Sequence, residues 1–288
     1  MHKKMYKSIL SSQNGMNIYR GCLHGCIYCD SRSNCYQMDH AFEDIEIKEN
    51  AVELLEEALK HKRKKCMIGT GSMCDPYMPI EKDLKLMRSC LEVIAKYEFG
   101  ATIITKSDLV LRDLDLFEKI NRQSKCVIQM TLTTYNDDLC KIIEPNVCVT
   151  SKRYEALKVL QEHGIPTVVW FSPILPYIND TEENIRGIMS YCVDAGVKGI
   201  ICFGMGLTLR DGDREYFYKA LDKNFSGLKS LYQKNYGTAY EIASSKNHEL
   251  MKIVHDICKK HNIMDKPNDV FAYLHEYNEK QNIQLSLF

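Results

Sequence analysis

The stretch Tyr19-Arg-Gly-Cys-Leu-His-Gly-Cys-Ile-Tyr-Cys-Asp30 directly follows the first candidate β-strand. Gly21 and Gly25 allow the backbone to turn tightly around a bulky group. In α/β barrels, the chemistry is carried by loops at the carboxyl ends of the strands. The stretch therefore predicts a metal-binding loop at the mouth of such a fold. Its ligands would be three cysteines spaced C-x3-C-x2-C, namely Cys22, Cys26 and Cys29.

Apolar, β-rich runs alternate with amphipathic helical patterns from about residue 60 to about residue 262. This alternation is typical of repeated βα units and a parallel sheet. We therefore expect an α/β fold, a partial parallel (β/α)6 TIM-like barrel with the metal site at its mouth. The candidate strands are Met16–Arg20, Cys66–Thr70, Ala101–Thr105, Cys126–Thr131, Pro166–Phe171 and Lys198–Cys202.

The chain divides by composition near Gly206. Before that point no repeat, low-complexity tract or Gly/Ser linker interrupts it. After it the sequence becomes helical and rich in tyrosine. We predict a barrel core over residues 1–205 and a helical C-terminal extension over residues 206–288 that packs on the barrel. Closure of the barrel mouth by this extension is a further hypothesis.

The bulk composition excludes several classes of partner. The chain has 288 residues, and its 38 Lys+Arg balance its 38 Asp+Glu, so no global charge draws it to phosphate backbones or anionic membranes. No stretch approaches the roughly 20 apolar residues of a membrane-spanning helix. Thirteen cysteines without a secretion signal fit reduced thiols in a cytosol. We expect a cytoplasmic protein that neither enters the membrane nor is secreted.

The cysteine triplet suits a [4Fe–4S] cluster. Such a cluster has four irons, so three thiolates leave one iron open to bind a substrate or cofactor directly. The alternatives are a zinc site and three unrelated core cysteines. A closed zinc site needs a fourth ligand, which His24 or Cys35 could supply.

At these residues the chain resembles the radical S-adenosylmethionine superfamily, in which an aromatic residue precedes the last cysteine, here Tyr28. The resemblance implies a radical enzyme with a [4Fe–4S] cluster and S-adenosylmethionine as cofactors. One electron would split the bound cofactor into methionine and a 5′-deoxyadenosyl radical that abstracts a substrate hydrogen. It also implies an electron donor such as flavodoxin or ferredoxin.

Residues at the predicted strand ends are suited to hold that cofactor. The small-residue run Gly69–Asp75 could offer carbonyls to its ammonium group, although an ordinary βα turn would look the same. Lys106 and Arg153 could bind its carboxylate, although each could equally be a surface charge. Ser172–Pro176 could offer amide groups to the adenine. The candidates are Tyr28, Thr70, Gly71, Ser72, Lys106, Thr131, Arg153, Ser172 and Ile174.

Within the superfamily, the chain looks like the spore photoproduct lyase-like branch, named for an enzyme that reverses a thymine dimer lesion in DNA. The zero net charge argues against duplex DNA as the substrate. The position of the basic run His61–Lys65 argues against it too, because we expect this run on the face opposite the barrel mouth. The matching stretches are Tyr19-Arg-Gly-Cys-x-His-Gly-Cys, Asp75-Pro-Tyr-x-Pro-Ile-Glu81, Thr105-Lys-Ser, Glu144-Pro and Gly164-Ile-Pro.

A small modified nucleobase is the nearest chemical relative of that lesion, and the chain is similar to the queuine lyases. The resemblance implies fragmentation of queuine to an aminomethyl deazaguanine for queuosine salvage. Repair of a DNA lesion is one alternative, and a non-catalytic iron–sulfur or zinc module is another. Cys35 and Cys140 could donate a hydrogen atom, or could lie where they do by chance. A purine-like ring would need stacking and acidic groups, for which the candidates are Asp75, Tyr77, Glu144 and Trp170.

Overall fold

The computed structural model describes residues 1–279 of the chain. Its strands are β1 (His2–Lys4), β2 (Gly15–Met16), β3 (Tyr19–Arg20), β4 (Glu46–Lys48), β5 (Met67–Thr70), β6 (Gly100–Thr105), β7 (Cys126–Thr131), β8 (Thr167–Trp170), β9 (Gly199–Ile201), β10 (Gly206–Thr208) and β11 (Glu241–Ala243). Its α-helices are α1 (Ala51–His61), α2 (Glu81–Leu84), α3 (Leu86–Lys96), α4 (Leu114–Gln123), α5 (Asp137–Ile143), α6 (Thr150–Glu162), α7 (Glu182–Asp194), α8 (Asp213–Asn224), α9 (Leu228–Tyr236), α10 (Asn247–His261) and α11 (Pro267–His275).

Six strands form one parallel sheet in the order β2-β5-β6-β7-β8-β9. From β5 onward, strands that are consecutive in the sheet are joined by helices, so the carboxyl ends of the strands meet at one edge. After α10 the chain returns to the sheet beside β9, where Met264 forms a parallel bridge with Gly199. The predicted partial barrel with a helical C-terminal extension is confirmed.

Alternation of side chains along the strands gives the sheet two different faces. Ile128 and Val169 belong to the main core, which they share with the crossover helices. Their chain neighbours Val127 and Val168 lie on the opposite face and cluster with Leu274 of α11. The C-terminal helix therefore covers the inner face of the partial barrel.

The prediction of one strand over Met16–Arg20 is wrong, because the structure has two short strands there, β2 and β3. β2 pairs with β5 of the large sheet, whereas β3 pairs antiparallel with β4 in a small sheet of order β1-β4-β3. The chain changes partner at Asn17, whose side chain accepts from the Met73 amide at 3.4 Å. The next carbonyl, of Ile18, accepts from the Lys48 amide at 3.1 Å. This exchange carries the chain away from the large sheet just before the cysteine loop.

Between residues 206 and 279 the regular elements are helices apart from the antiparallel pair of β10 and β11. Phe217 of α8 and Tyr232 of α9 form a second core with Ile27 and Tyr28 of the cysteine loop. α10 instead packs against α7 on the outside of the barrel. The domain boundary at residue 205 stays a prediction, and residues 280–288 of the expected extension lie outside the described residues.

Two surface features bear on the kind of partner the protein binds. The basic run His61–Lys65 begins at the last residue of α1 and precedes β5, at the amino end of that strand and therefore away from the carboxyl edge of the sheet. Lys65 also takes part in packing, with its Nζ 4.5 Å from the centre of the Phe99 ring. In the described part of the chain, no helix is long and apolar enough to cross a bilayer.

The first residue of α8, Asp213, is a buried carboxylate with one unused oxygen. Its Oδ1 accepts a hydrogen bond from the Arg210 amide at 2.6 Å, whereas its Oδ2 has no hydrogen-bond partner among residues 1–279. Burial raises the pKa of this carboxyl to about 6 from the usual 3.8. The folded protein therefore binds this proton more tightly than the unfolded chain.

We predict that the contribution of Asp213 to stability falls as the pH rises from about 4 through about 6, because ionising Asp213 is unfavourable in the folded state. Asp213→Asn keeps the acceptor for Arg210, so it should remove this fall and stabilise the protein at neutral pH by about 1 kcal/mol. Urea denaturation across this pH range measures both effects. The control is Asp222→Asn on the exposed side of α8, which should leave the pH profile unchanged, and an Asp213→Asn profile identical to that of the wild type would contradict the prediction.

Candidate active site

The three cysteines lie on the loop between β3 and a short 3₁₀ turn, Asp30–Arg32. Gly21 opens this loop with a φ of +87°, and a Cβ there would lie 2.4 Å from the carbonyl oxygen of Phe42. A side chain is therefore excluded at this position. Further along, the Ile27 amide donates to the Ile143 carbonyl at 3.0 Å. The loop is thus fixed against the end of α5.

The three cysteine sulfurs are not gathered as closely as the ligands of a single metal ion. Around one tetrahedral zinc with Zn–S bonds of about 2.3 Å, the sulfurs lie about 3.8 Å apart. Within residues 1–279, the sulfurs of Cys22, Cys26 and Cys29 do not all lie within 4.8 Å of one another. Burial raises the pKa of Cys22 to about 12, so a bound metal must stabilise the thiolate.

Neither candidate for a fourth zinc ligand joins the triplet. His24 is buried, with its Nε2 2.9 Å from Oδ2 of Asp75, and the Lys106 amide donates to the same carboxylate at 2.7 Å. Burial would raise the pKa of Asp75, but His24 and this amide lower it to about 2. Cys35 is exposed, and its sulfur lies 3.0 Å from Nη1 of Arg210.

A buried carboxylate, Glu144, lies beneath the cysteine loop. It accepts hydrogen bonds from the Tyr28 hydroxyl, from Arg153 and, at 3.2 Å, from the Thr133 hydroxyl. Burial would raise the pKa of Glu144, but Arg153 and Lys106 hold it below its usual value. The carboxylate is therefore ionised and fixes the tyrosine that precedes the last cysteine.

Arg153 differs from its predicted role as a ligand of the cofactor carboxylate. The side chain is fully buried and paired with Glu144. Its remaining donors reach the carbonyls of Thr131 and Cys148, each at 2.8 Å, and the sulfur of Cys140 at 3.1 Å. These partners occupy the guanidinium inside the protein, so it is not available at a ligand-binding surface.

A cavity of about 1020 Å³ opens at the carboxyl edge of the large sheet. Small-molecule sites usually have volumes of about 300–1,000 Å³, so this cavity has room for a cofactor and a small substrate together. Residues from the five neighbouring strands β2, β5, β6, β7 and β8 and from the cysteine loop meet on its wall. The predicted residues among them are Tyr28, Cys29, Thr70, Gly71, Ser72, Lys106, Thr131, Trp170 and Ser172.

Lys106 brings a free positive charge to this cavity. No hydrogen bond or salt bridge within the described chain occupies its Nζ, which lies 5.9 Å from the centre of the Tyr28 ring. Burial would lower the pKa of Lys106, but Cys26, Glu144 and Asp75 raise it above its usual value. The ammonium is therefore charged and able to bind an anionic ligand group.

The turn after β5 offers backbone rather than side chains to the cavity. Gly71 has a φ of +99°, and a Cβ there would lie 2.1 Å from the carbonyl oxygen of Ile104. The turn can therefore lie directly on β6 only if this residue is glycine. Thr70 and Ser72 flank it and line the cavity with it.

Several predicted residues lie outside the cavity. Ile174 is buried in the main core. Tyr77 is fully buried, and its hydroxyl donates to Oδ2 of Asp113 at 3.0 Å, so its ring has no surface for stacking. The roles in substrate binding or hydrogen-atom donation stay predictions for the other residues outside the cavity, Asp75, Glu144, Cys140 and Cys35.

The floor of the cavity holds residues that the sequence analysis did not single out. Gln129 of β7 accepts from Nε1 of Trp170 at 2.6 Å and donates to the Thr102 hydroxyl at 2.7 Å. Phe203 and Phe271 flank the indole, with ring centres 6.2 and 6.1 Å from it. Gln129 and Thr102 could have been found from the sequence, because they are polar residues within otherwise apolar strands. No local sequence pattern predicts that Phe271 of α11 lies at this cavity.

A three-cysteine loop at the mouth of a partial parallel barrel, beside a cavity with a free cation, defines a radical S-adenosylmethionine enzyme. The chain belongs to the Radical SAM superfamily, whose family model matches residues 16–192. Its cofactors are a [4Fe–4S] cluster and S-adenosylmethionine, and Cys22, Cys26 and Cys29 are the residues that would hold the cluster. Membership in this enzyme superfamily overturns the alternative of a non-catalytic module.

Relatives of the chain are uncharacterised. A protein of Methanocaldococcus jannaschii is 35% identical over 234 residues, which cover 80% of this chain and 79% of that protein. A protein of Mycobacterium tuberculosis is 27% identical over 229 residues, covering 77% of this chain and 66% of that protein. A solved mutant of spore photoproduct lyase with bound dinucleoside spore photoproduct shares the fold, with a TM-score of 0.62, 14% identity, and coverage of 90% of this chain and 78% of that chain.

Replacing Arg153 by methionine should leave Glu144 buried without its cationic partner. We expect the free energy of unfolding to fall by about 3–5 kcal/mol, measured by urea denaturation. The neighbouring exposed pair of Lys152 and Glu155 offers a matched control, since Lys152→Met should change stability by less than about 0.5 kcal/mol. A stable Arg153→Met variant that had lost S-adenosylmethionine binding would instead support the role that the sequence predicted.

Proposed function

We propose that the protein is a radical S-adenosylmethionine lyase that fragments a modified nucleobase, with queuine as substrate and an aminomethyl deazaguanine as product for queuosine salvage. The observation that carries the proposal is the floor of the cavity, where the indole of Trp170 lies beside the amide of Gln129. An indole offers a stacking face to a purine-like ring. Gln129 keeps one N–H and one lone pair beyond its two hydrogen bonds, which suits the polar edge of such a base.

When bound, the cluster and S-adenosylmethionine supply the radical that abstracts a hydrogen from the substrate. The residues of the chain then bind and orient the reactants. In this proposal Lys106 binds the cofactor carboxylate, the carbonyls of the Thr70–Ser72 turn accept from its ammonium group, and the backbone near Ser172 contacts its adenine. Trp170 and Gln129 hold the base at the floor of the same cavity.

Lesion repair is the second candidate, because a fold similar to that of this chain binds a dinucleoside spore photoproduct in spore photoproduct lyase. The balanced charge of the chain gives little affinity for duplex DNA. We therefore favour a small-molecule substrate, with a one-electron donor such as flavodoxin or ferredoxin as the protein partner. All thirteen cysteines are free, which suits the reducing cytoplasm.

The proposal is tested by anaerobic reconstitution with iron and sulfide, followed by reduction in the presence of S-adenosylmethionine. Parallel reactions contain queuine, the dinucleoside spore photoproduct or no substrate, and mass spectrometry follows 5′-deoxyadenosine and the base products. Cys26→Ala is the control that should abolish every product. Loss of the queuine side group supports the proposal, recovery of thymidine alone favours repair, and 5′-deoxyadenosine without either product rejects both substrates.

Lys106→Met should weaken S-adenosylmethionine binding by at least about tenfold, because it removes a charge-assisted contact with the cofactor carboxylate. The fold should persist, since the ammonium has no salt bridge within the described residues. Isothermal titration of the reconstituted protein gives the Kd, and Lys152→Met serves as control. Equal Kd values for the Lys106→Met variant and the wild type would exclude the assigned contact.

Trp170→Ala should raise the KM for the base by about tenfold, since base–aromatic stacking contributes about 1–3 kcal/mol. Trp170→Phe should recover part of this loss because it keeps an aromatic face. Steady-state kinetics measure KM, and the Kd for S-adenosylmethionine should stay unchanged in both variants. A parallel loss of cofactor binding would show that Trp170 acts on the cofactor instead.

A further inference from the structure

A second group of metal-type ligands lies on the small N-terminal sheet, away from the cavity. It consists of His2 on β1, Glu46 on β4 and His40 on the loop that leads to β4. One ligand atom from each of the three lies within 4.8 Å of the others. Nε2 of His2 is 3.5 Å and Nε2 of His40 is 3.9 Å from Oε2 of Glu46. Such a convergence of two imidazoles on one carboxylate is the donor set of many zinc sites.

Both imidazoles are held by their other nitrogen, as ligating histidines usually are. Nδ1 of His2 lies 3.0 Å from Oδ2 of Asp44, and Nδ1 of His40 lies 3.0 Å from the carbonyl oxygen of Ala41. A carbonyl oxygen can only accept, so Nδ1 of His40 carries the proton. In the neutral ring, the lone pair is then on Nε2, the nitrogen on the side of Glu46.

His40 has one ring nitrogen, the one on the side of Glu46, without a hydrogen bond inside the described chain. Its Nε2 is buried and forms no hydrogen bond among the residues that the structure describes, with only 12% of the side chain exposed. A buried polar atom without a partner is uncommon and calls for an unseen ligand such as a water or an ion. The carboxylate of Glu46 lies on the same side, where its Oε1 accepts from the Tyr6 hydroxyl and its Oε2 faces the two imidazoles.

A lysine competes for the same carboxylate oxygen. Nζ of Lys4 lies 2.9 Å from Oε2 of Glu46, and 46% of its side chain is exposed. A lysine of this kind can move its ammonium into water when a divalent ion binds. A fourth ligand is also within reach, since Oδ1 of the exposed Asp39 lies 3.9 Å from Nε2 of His40.

We propose that His2, His40 and Glu46 form a zinc site, with Asp39 or a water as the fourth ligand. The site would join β1, β4 and the segment between the cysteine loop and β4. That segment supports the cysteine loop, because the carbonyl of Phe42 accepts from the Cys22 amide at 3.1 Å. Zinc at this position would therefore brace the small sheet against the loop that carries the cluster.

The test uses the enzyme with its cluster reconstituted, so that the three cysteines are already occupied. After incubation with Zn²⁺ and gel filtration, elemental analysis gives the zinc retained per chain, and X-ray absorption at the zinc edge gives the ligand shell. We expect about one zinc per chain with nitrogen and oxygen ligands at about 2.0 Å. Failure to retain zinc, or a shell of sulfur at about 2.3 Å, would overturn the proposal.

Variants connect the bound zinc to these residues. His2→Ala and His40→Ala should each lower zinc affinity by about 100-fold or more, whereas Lys4→Met should raise it by about tenfold because it removes the competing charge. His255→Ala is the matched control, since His255 also pairs with a carboxylate, Asp265 at 2.7 Å, but has no third ligand in the described chain.

Thermal unfolding adds a second readout of the same site. Zinc should raise the Tm of the wild type and of the His255→Ala variant, but not that of the His2 or His40 variants. Two histidine variants are included so that misfolding of one still leaves a test. Zinc affinity that is unchanged in the folded histidine variants would contradict the proposal, whatever the catalytic activity of the enzyme.

Discussion

The carboxylate of Glu144 is buried between the cysteine loop and α6, and the geometry of the active site depends on its pairing. Tyr28 donates to one of its oxygens and Arg153 to the other. A buried charge destabilises a fold by several kcal/mol unless a partner neutralises it, so the tyrosine and the arginine are required together. Because Tyr28 precedes Cys29, the same pairing sets where the last cysteine lies relative to the sheet.

Most of the fold could be predicted because it follows from local patterns. Five of the six strands of the large sheet appear in the sequence as apolar runs between amphipathic helices. The first strand could not be predicted correctly, because β3 leaves the large sheet to pair with β4, a partner far along the chain. For the same reason, the sequence predicts a helical C-terminal extension but not the position of α11 on the inner face of the barrel, where Leu274 packs.

The residues of the candidate site also include some that the sequence could predict and some that it could not. Spacing alone identified the cysteine triplet, and the rule that chemistry lies at strand ends identified Lys106 and Trp170. That rule does not distinguish a charged side chain that lines the cavity from one that is buried beneath it. Lys106 follows a predicted strand end and Arg153 follows Glu144-Pro145 in the sequence, yet Glu144 neutralises only Arg153 by direct contact. Pairing between buried side chains depends on tertiary contacts, which one sequence does not contain.

The distribution of charge within the cavity orients its two ligands. The Lys106 ammonium faces the cavity beside the cysteine loop, close to the charges of Asp75 and Glu144. The strip formed by Thr102, Gln129 and Trp170 is uncharged, and the aromatic rings of Phe203, just after β9, and of Phe271 on α11 extend it. An ionic ligand binds most favourably near Lys106. Burying its charged groups against the uncharged strip would be unfavourable. The proposed function follows this distribution of charge, because it assigns the neutral ring to the floor and the zwitterionic cofactor to the region between that floor and the cysteines.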